Sequence, residues 1–146
     1  MSVPRRAFLR LGLAAASATL RPRPGLAQGA APRVVVVGGG FAGASCARAL
    51  RHTDPKVAVT LVEPSATFTA CPFSNAVIGG LRELSAQQFT YDRVAADGIT
   101  MARTTATAVD AQARSVTLTD GARLPYDRLV LASGIDIPWG ALSGYD

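Results

Sequence analysis

The sequence offers few side chains from which to build a polar catalytic centre. Its 146 residues include one histidine, His52, and two cysteines, Cys46 and Cys71. Metal sites and nucleophile–histidine–carboxylate centres need clusters of such residues, and none can be assembled from this inventory. We therefore expect no metal site, and we expect His52, at the end of a helix, to be solvated.

Acidic residues are absent from the start of the chain. Five arginines and no Asp or Glu precede Gln28, whereas ten Lys or Arg and ten Asp or Glu follow it. The formal net charge of +5 therefore belongs to the first residues alone. Because a nucleic-acid surface needs clustered Lys and Arg on the folded part, nucleic acid is not expected as a partner.

A long apolar run is also missing. Residues 11–20 are alanine-rich and too short to span a bilayer, which takes about 20 residues, so no transmembrane segment is expected. The order of charge, apolar run and small residues is typical of an export signal, and the start, PRRAFLR at residues 4–10, resembles a twin-arginine signal. The resemblance implies that residues 1–31 are removed on export to the periplasm, leaving residues 32–146 as the domain. A disordered N-terminus with two chance arginines is the alternative.

The first folded segment has the pattern of strand, glycine turn, helix and strand. Residues 34–37 are four consecutive valines, typical of a strand buried on both faces of a parallel sheet. Three glycines follow, then a helical stretch over residues 41–50 and a strand over residues 57–62 that ends at Glu63. This order predicts a βαβ unit.

Beyond Glu63 the pattern changes to a long loop, one helix and a run of strands. The loop covers residues 64–80, and loops of this length are often functional. Ser85 is the predicted N-cap of a helix ending near Ala96, with Gln88 as its capping-box partner. The predicted strands cover residues 99–109, 114–119, 122–124 and 128–132. The predicted fold class is α/β, a parallel sheet with a βαβ unit plus a β-meander.

The glycines after the first strand fit the pattern G-x-G-x-x-G. Gly38 allows a tight turn, Gly40 lets the backbone approach a pyrophosphate, and Gly43, after Phe41 and Ala42, lets helix and strand pack closely. The helix N-terminus offers free amides to an anion. Glu63 can accept hydrogen bonds from ribose hydroxyls, and its charge disfavours NADP. These residues predict a dinucleotide site; a glycine turn that binds nothing is the alternative.

A second motif separates FAD from NAD. Residues 116–134, VTLTDGARLPYDRLVLASG, resemble the second FAD fingerprint of the two-dinucleotide-binding-domain flavoproteins. There, a β-meander leads to a Tyr-Asp pair, an apolar strand and Ala-Thr-Gly; Ser133 replaces the Thr and keeps the hydroxyl. The resemblance implies FAD as cofactor, with Ser133 and Gly134 beside it. It also implies a Rossmann-like FAD-binding domain that is incomplete relative to the family's full fold.

The loop after Glu63 contains the more informative cysteine. Residues 69–80, TACPFSNAVIGG, resemble the flavoprotein subunit of flavocytochrome c sulfide dehydrogenase, whose matching cysteine is bonded through sulfur to the flavin 8α carbon. The resemblance implies covalent FAD on Cys71; a redox-active cysteine beside the flavin and a simple loop cysteine are the alternatives. Pro64, next to Glu63, joins the candidate cofactor-binding residues. Cys46 is expected to be a buried packing residue, although a disulfide with Cys71 is possible in an oxidising compartment.

By the same resemblance, the whole enzyme oxidises sulfide and passes electrons through FAD to a c-type cytochrome subunit. That family's redox cysteine pair would lie outside these 146 residues, so no catalytic residue is assigned and the chain alone is expected to be inactive. One alternative is a sulfide:quinone reductase or an NADH dehydrogenase-like flavoprotein, which shares the FAD fold. The other is a truncated flavin-binding fragment without turnover.

Overall fold

The computed structural model describes residues 30–136, 138–141 and 143–144. The predicted export signal therefore lies outside the described residues, apart from its last two. The compact unit that carries the fold runs from Ala31 to Asp146. Within the described ranges, no helix is both long enough and apolar enough to cross a membrane.

Nine strands, three α-helices and two short 3-10 helices follow one another along the described part of the chain. The strands and α-helices, in chain order, are β1 (Arg33–Val37), α1 (Phe41–Thr53), β2 (Ala58–Val62), β3 (Thr67–Thr69), α2 (Ser74–Ile78), β4 (Gln88–Thr90), α3 (Asp92–Ala96), β5 (Thr100–Ala102), β6 (Ala106–Asp110), β7 (Ser115–Leu118), β8 (Arg123–Pro125) and β9 (Arg128–Leu131). The 3-10 helices are Leu84–Gln87 and Trp139–Ala141.

A four-stranded parallel sheet in the order β5-β2-β1-β9 forms the centre of the domain. Strand β1, which lies between β2 and β9, contains the run of valines. Val34 and Val36 pack on the side of α1, whereas Val35 packs on the opposite side against Val116 and Tyr126. Since both faces of β1 are covered, each side chain gains from leaving water, roughly 1.5–3 kcal/mol for a fully buried valine. The α/β fold and the βαβ unit are confirmed.

The antiparallel β-meander predicted near the end of the chain is also present. Strands β6, β7 and β8 form one three-stranded sheet, and Val116 and Leu118 of β7 are buried in the second core cluster. The predicted strand over residues 99–109 is two strands, β5 and β6, because the chain turns at Thr104, whose amide donates to the Ala102 carbonyl at 2.9 Å. This turn moves the chain from the parallel sheet to the meander.

The predicted helix from Ser85 to Ala96 is wrong. Residues 84–87 form a 3-10 helix, β4 follows, and only α3 is α-helical. The expected capping box is absent, because Gln88 begins a strand that pairs antiparallel with β3, with Phe68 opposite Phe89. The loop over residues 64–80 likewise contains β3 and α2. A strand partner some 20 residues away therefore overrides the local helical pattern.

The two cysteines are free thiols, so the possible disulfide is not formed. Cys71 is exposed, and Cys46 is half-buried rather than fully buried as predicted. His52 is largely exposed, with its Nε2 atom 3.3 Å from the Asp97 carboxylate. No group of three or more His, Cys, Asp or Glu that could hold a metal ion occurs within the described ranges.

Candidate functional site

A cleft of about 430 Å³ lies at the carboxyl ends of the parallel strands. The turn after β1 (residues 38–40, hereafter the glycine turn), Glu63 after β2 and the turn after β9 (residues 132–134) all line it. Parallel strands bring their carboxyl ends to one edge of a sheet, where α/β proteins bind ligands. Strand β3 and Tyr91 complete the wall. We call this the sheet-edge cleft.

Two glycines of the motif are required by the packing of the protein itself. Gly38 has φ of +98°, a conformation that side chains disfavour, and its amide donates to the Val62 carbonyl at 2.9 Å. A Cβ at Gly38 would overlap the Ala132 carbonyl oxygen, and one at Gly43 would overlap the Gly38 carbonyl oxygen. These glycines therefore let the turn, α1 and β9 come close together.

Gly40 differs from them. Its backbone is extended, with φ −67° and ψ −167°, and a Cβ there would meet only the Phe68 ring at an ordinary 3.7 Å. The fold alone would accept a side chain at this position. A side chain at position 40 would block the approach of a ligand, and glycine leaves it open. The cleft in front of Gly40 and the free amides at the start of α1 are therefore suited to a phosphate group.

Glu63 is held by two backbone amides. One carboxylate oxygen accepts from the Gly39 amide at 2.7 Å, and the other accepts from the Ser65 amide at 2.8 Å. Each oxygen has a second lone pair for another donor. Glu63 can therefore accept ligand hydroxyls while it fixes the glycine turn, which fits the ribose of a dinucleotide.

Tyr91 also lines the cleft, although no sequence motif predicts it. Its side chain is buried, and its hydroxyl donates to the Gly39 carbonyl oxygen at 3.0 Å. The Arg103 guanidinium lies 5.1 Å from the centre of the Tyr91 ring and donates to the Ser65 carbonyl at 2.7 Å. Burial, and then the charge of Glu63, raise the pKa of Tyr91 against the opposing effect of Arg103.

Gly39 was also missed, although the sequence contained a signal for it. The motif leaves this position open, but a Cβ here would lie 2.6 Å from the Tyr91 hydroxyl and 2.7 Å from Glu63 Cγ. Within residues 38–40 the motif requires glycine only at the first and third positions, so a glycine at the second position indicates such crowding. Tyr91 itself belongs to no motif, so only the structure reveals it.

The remaining candidates divide into two groups. Gly38, Gly40, Glu63, Ser133 and Gly134 line the sheet-edge cleft. Those outside its wall are the buried Gly43, the exposed Ala42 and Pro64, and Phe41 and Cys71. Phe41 lines an adjoining cleft of about 630 Å³ beside α1.

Cys71 lies close to the sheet-edge cleft along the chain. Thr69 lines the cleft, and two extended residues reach at most about 7 Å. The Ala70 amide donates to the Gln87 carbonyl at 2.9 Å, and the Cys71 carbonyl accepts from the Ser74 amide at 3.1 Å. The thiol residue is thus exposed on a segment whose backbone is anchored on both sides.

The sequence and the fold match known flavin oxidoreductases. Over 45 residues, 31% of this chain and 94% of the relative, the sequence is 69% identical to a sulfide dehydrogenase (flavocytochrome c) flavoprotein chain from Chlorobaculum thiosulfatiphilum. It is 36% identical to an NADH dehydrogenase-like protein of Mycobacterium tuberculosis, over 77% of this chain and 29% of the relative. The sulfide:quinone oxidoreductase structure from Aquifex aeolicus matches with a TM-score of 0.71 and 29% identity, over 76% of this chain and 26% of that one.

These matches confirm the predicted resemblance to the flavocytochrome c flavoprotein subunit and imply a flavin cofactor. The chain spans less than a third of the length of the NADH dehydrogenase-like relative and of the quinone-linked structure. Residues 32–141 match the family profile described as pyridine nucleotide-disulphide oxidoreductase. The chain therefore belongs to the pyridine nucleotide-disulphide oxidoreductase family.

Proposed function

We propose that this chain is the FAD-binding part of a periplasmic flavoprotein that oxidises sulfide and passes the electrons through FAD to a c-type cytochrome. The identity of 69% to a flavoprotein named for sulfide and for flavocytochrome c supports the substrate and the partner. The observation that carries FAD binding is the sheet-edge cleft, which is lined by both Gly40 and Glu63.

Three parts of the cleft would hold FAD. Glu63 would accept hydrogen bonds from the adenosine ribose, since both its oxygens have spare lone pairs. Gly40 and the first amides of α1 would receive the pyrophosphate. Ser133 and Gly134 line the same cleft and supply a hydroxyl and a left-handed turn, with φ of +75° at Gly134. When bound, FAD supplies the two-electron chemistry, and the protein supplies its placement.

Cys71 is the proposed point of covalent attachment. A bond would form between its sulfur and the 8α carbon of the flavin. The thiol and the 8α methyl group would each lose a proton, and the two electrons would reduce the flavin ring itself, which dioxygen or the cytochrome would then reoxidise. The exposure of Cys71 and its position two residues from Thr69 of the cleft support this proposal.

Periplasmic location is proposed from the leader. The twin-arginine resemblance of residues 4–10 suits a protein that acquires its cofactor before export, because that route carries folded proteins. A covalent bond would then keep FAD in place where none can be resupplied.

The mass of the purified, acid-denatured chain tests the attachment. The wild-type chain should be heavier by one FAD less two hydrogens, and Cys71→Ala should lack the increase. Cys46→Ala is the matched control and should retain it, because Cys46 lies within α1. Unmodified wild-type protein with FAD in the supernatant would leave FAD binding standing and rule out the covalent bond.

A quinone-linked enzyme is the second candidate, favoured by the TM-score of 0.71 to a sulfide:quinone oxidoreductase. The full-length protein separates the two. Sulfide-dependent reduction of a c-type cytochrome, without reduction of a short-chain quinone, supports the first proposal. Reduction of the quinone alone would support the second.

A further inference from the structure

The glycine turn carries no side chains of its own. Three consecutive glycines place no side chain next to the Gly39–Gly40 peptide group, so rotation of this group meets little steric resistance. Such a rotation would turn a carbonyl oxygen to the direction in which the amide had pointed. Something outside the turn must therefore set its orientation.

Two side chains hold the two successive peptide groups of the turn. Glu63 accepts the Gly39 amide at 2.7 Å, which fixes the Gly38–Gly39 peptide, and Tyr91 donates to the Gly39 carbonyl at 3.0 Å, which fixes the Gly39–Gly40 peptide. In a trans peptide, the carbonyl and the amide point in opposite directions. By holding the Gly39 carbonyl, Tyr91 therefore also sets the direction of the Gly40 amide.

We propose that Tyr91 is a positioning residue for the dinucleotide: it orients the Gly40 amide so that it can donate to the ligand's pyrophosphate. This inference rests on the proposed binding of FAD. The amide of Gly40 precedes the first turn of α1, where backbone amides have no carbonyl partner within the helix. Without the Tyr91 hydroxyl, the peptide can turn its carbonyl oxygen toward the phosphate, and the two would repel each other.

Arg103 packs against the ring of Tyr91. Its guanidinium lies 5.1 Å from the centre of the Tyr91 ring, and it donates to the carbonyl of Ser65. The amide of Ser65 in turn donates to Glu63. Arg103 and Ser65 thus connect the Tyr91 ring with the Glu63 carboxylate. Tyr91 and Glu63 are the side chains that hold the two peptide groups of the glycine turn.

Tyr91→Phe tests the proposal, because it removes only the hydroxyl. Tyr126→Phe is the matched control, since Tyr126 is also buried but packs in the other core cluster. The probes are FAD, ADP, which carries the pyrophosphate, and adenosine, which does not. We expect Tyr91→Phe to lower the affinity for ADP and for FAD by about fivefold to tenfold, the factor associated with one hydrogen bond. The affinity for adenosine should be unchanged. Tyr126→Phe should change none of the three.

The outcomes separate this inference from the function on which it rests. A wild-type chain that binds no FAD would refute the proposed function, whatever Tyr91 does. FAD binding by the wild type with unchanged ADP affinity in Tyr91→Phe would overturn the role of Tyr91. Equal losses for ADP and adenosine would also overturn it, because they indicate general damage to the fold. If Tyr91→Phe does not fold, Arg103→Ala replaces it and should lower the affinity for ADP but not for adenosine. An unchanged ADP affinity in Arg103→Ala would refute the proposal.

Discussion

The carboxylate of Asp127 accepts three hydrogen bonds from Arg33, one from the backbone amide at 2.8 Å and two from the guanidinium at 3.3 Å. The Asp127 amide donates back to the Arg33 carbonyl at 2.9 Å. The two residues are 94 positions apart. This pair joins the start of β1 to the Tyr-Asp motif, so the second fingerprint holds the sheet together at the edge opposite the cleft.

Asp127→Asn should lower the midpoint of thermal unfolding modestly at neutral pH, since the pair is exposed and such pairs contribute little. The hydrogen bonds from Arg33 hold the pKa of Asp127 below its usual range. The stabilisation is therefore present above the unfolded-state pKa and is lost as the pH falls through the folded-state pKa. Thermal unfolding from about pH 7 to about pH 2 should show the two proteins converging in acid. A difference that persists unchanged at low pH would contradict this origin.

Gly43→Ala and Gly40→Ala should separate folding from binding. At Gly43 the added Cβ overlaps the Gly38 carbonyl oxygen, so we expect a loss of about 3 kcal/mol or more in unfolding free energy. At Gly40 the Cβ meets only Phe68 at 3.7 Å, so stability should change by less than about 1 kcal/mol. FAD affinity should nevertheless fall about tenfold or more for Gly40→Ala. Urea unfolding and FAD titration measure the two effects, and full FAD affinity in Gly40→Ala would refute the phosphate site.

Glu63→Gln should reduce both stability and affinity. The amide side chain has one acceptor oxygen, so either Gly39 or Ser65 loses the acceptor for its backbone amide. An unpaired amide costs about 1–3 kcal/mol where water cannot reach it, as at the buried Gly39, and less at the exposed Ser65, where water can replace the acceptor. Adenosine affinity should fall as well, in contrast to Tyr91→Phe. The exposed Glu83→Gln is the control and should change neither quantity in urea unfolding or adenosine titration.

Ionisation of Tyr91 should lower the stability of the protein at alkaline pH. Burial and the charge of Glu63 raise the pKa of Tyr91, and Arg103 opposes them. The folded state thus keeps its proton to higher pH than the unfolded state does. Stability is unaffected below the unfolded pKa of about 10 and is lost as the pH rises toward the folded pKa. Tyr91→Phe should lack this loss and Tyr126→Phe should retain it, as followed by urea unfolding; identical slopes in both variants would refute the assignment.

The parts of the fold that the sequence predicted correctly are those with a local signal. Four valines, three glycines and a helical stretch define β1, the turn and α1 within about 20 residues, and all three are where they were expected. The helix predicted from Ser85 was wrong because β4 pairs with β3, a contact that no local pattern records. The export signal, the covalent bond at Cys71 and the cytochrome partner remain predictions.

Residue type and spacing were enough to predict the α/β fold, the family and five residues that line the cleft, because glycine geometry, strand burial and the Tyr-Asp motif depend on them. Tyr91, Ser65 and Arg103 could be assigned to the cleft and its support from the folded arrangement alone. Their hydrogen bonds join elements that are far apart in the chain, such as Gly39 and Tyr91, 52 positions apart. The orientation of a peptide between two glycines has no local cause, so it depends on partners that only folding brings within reach.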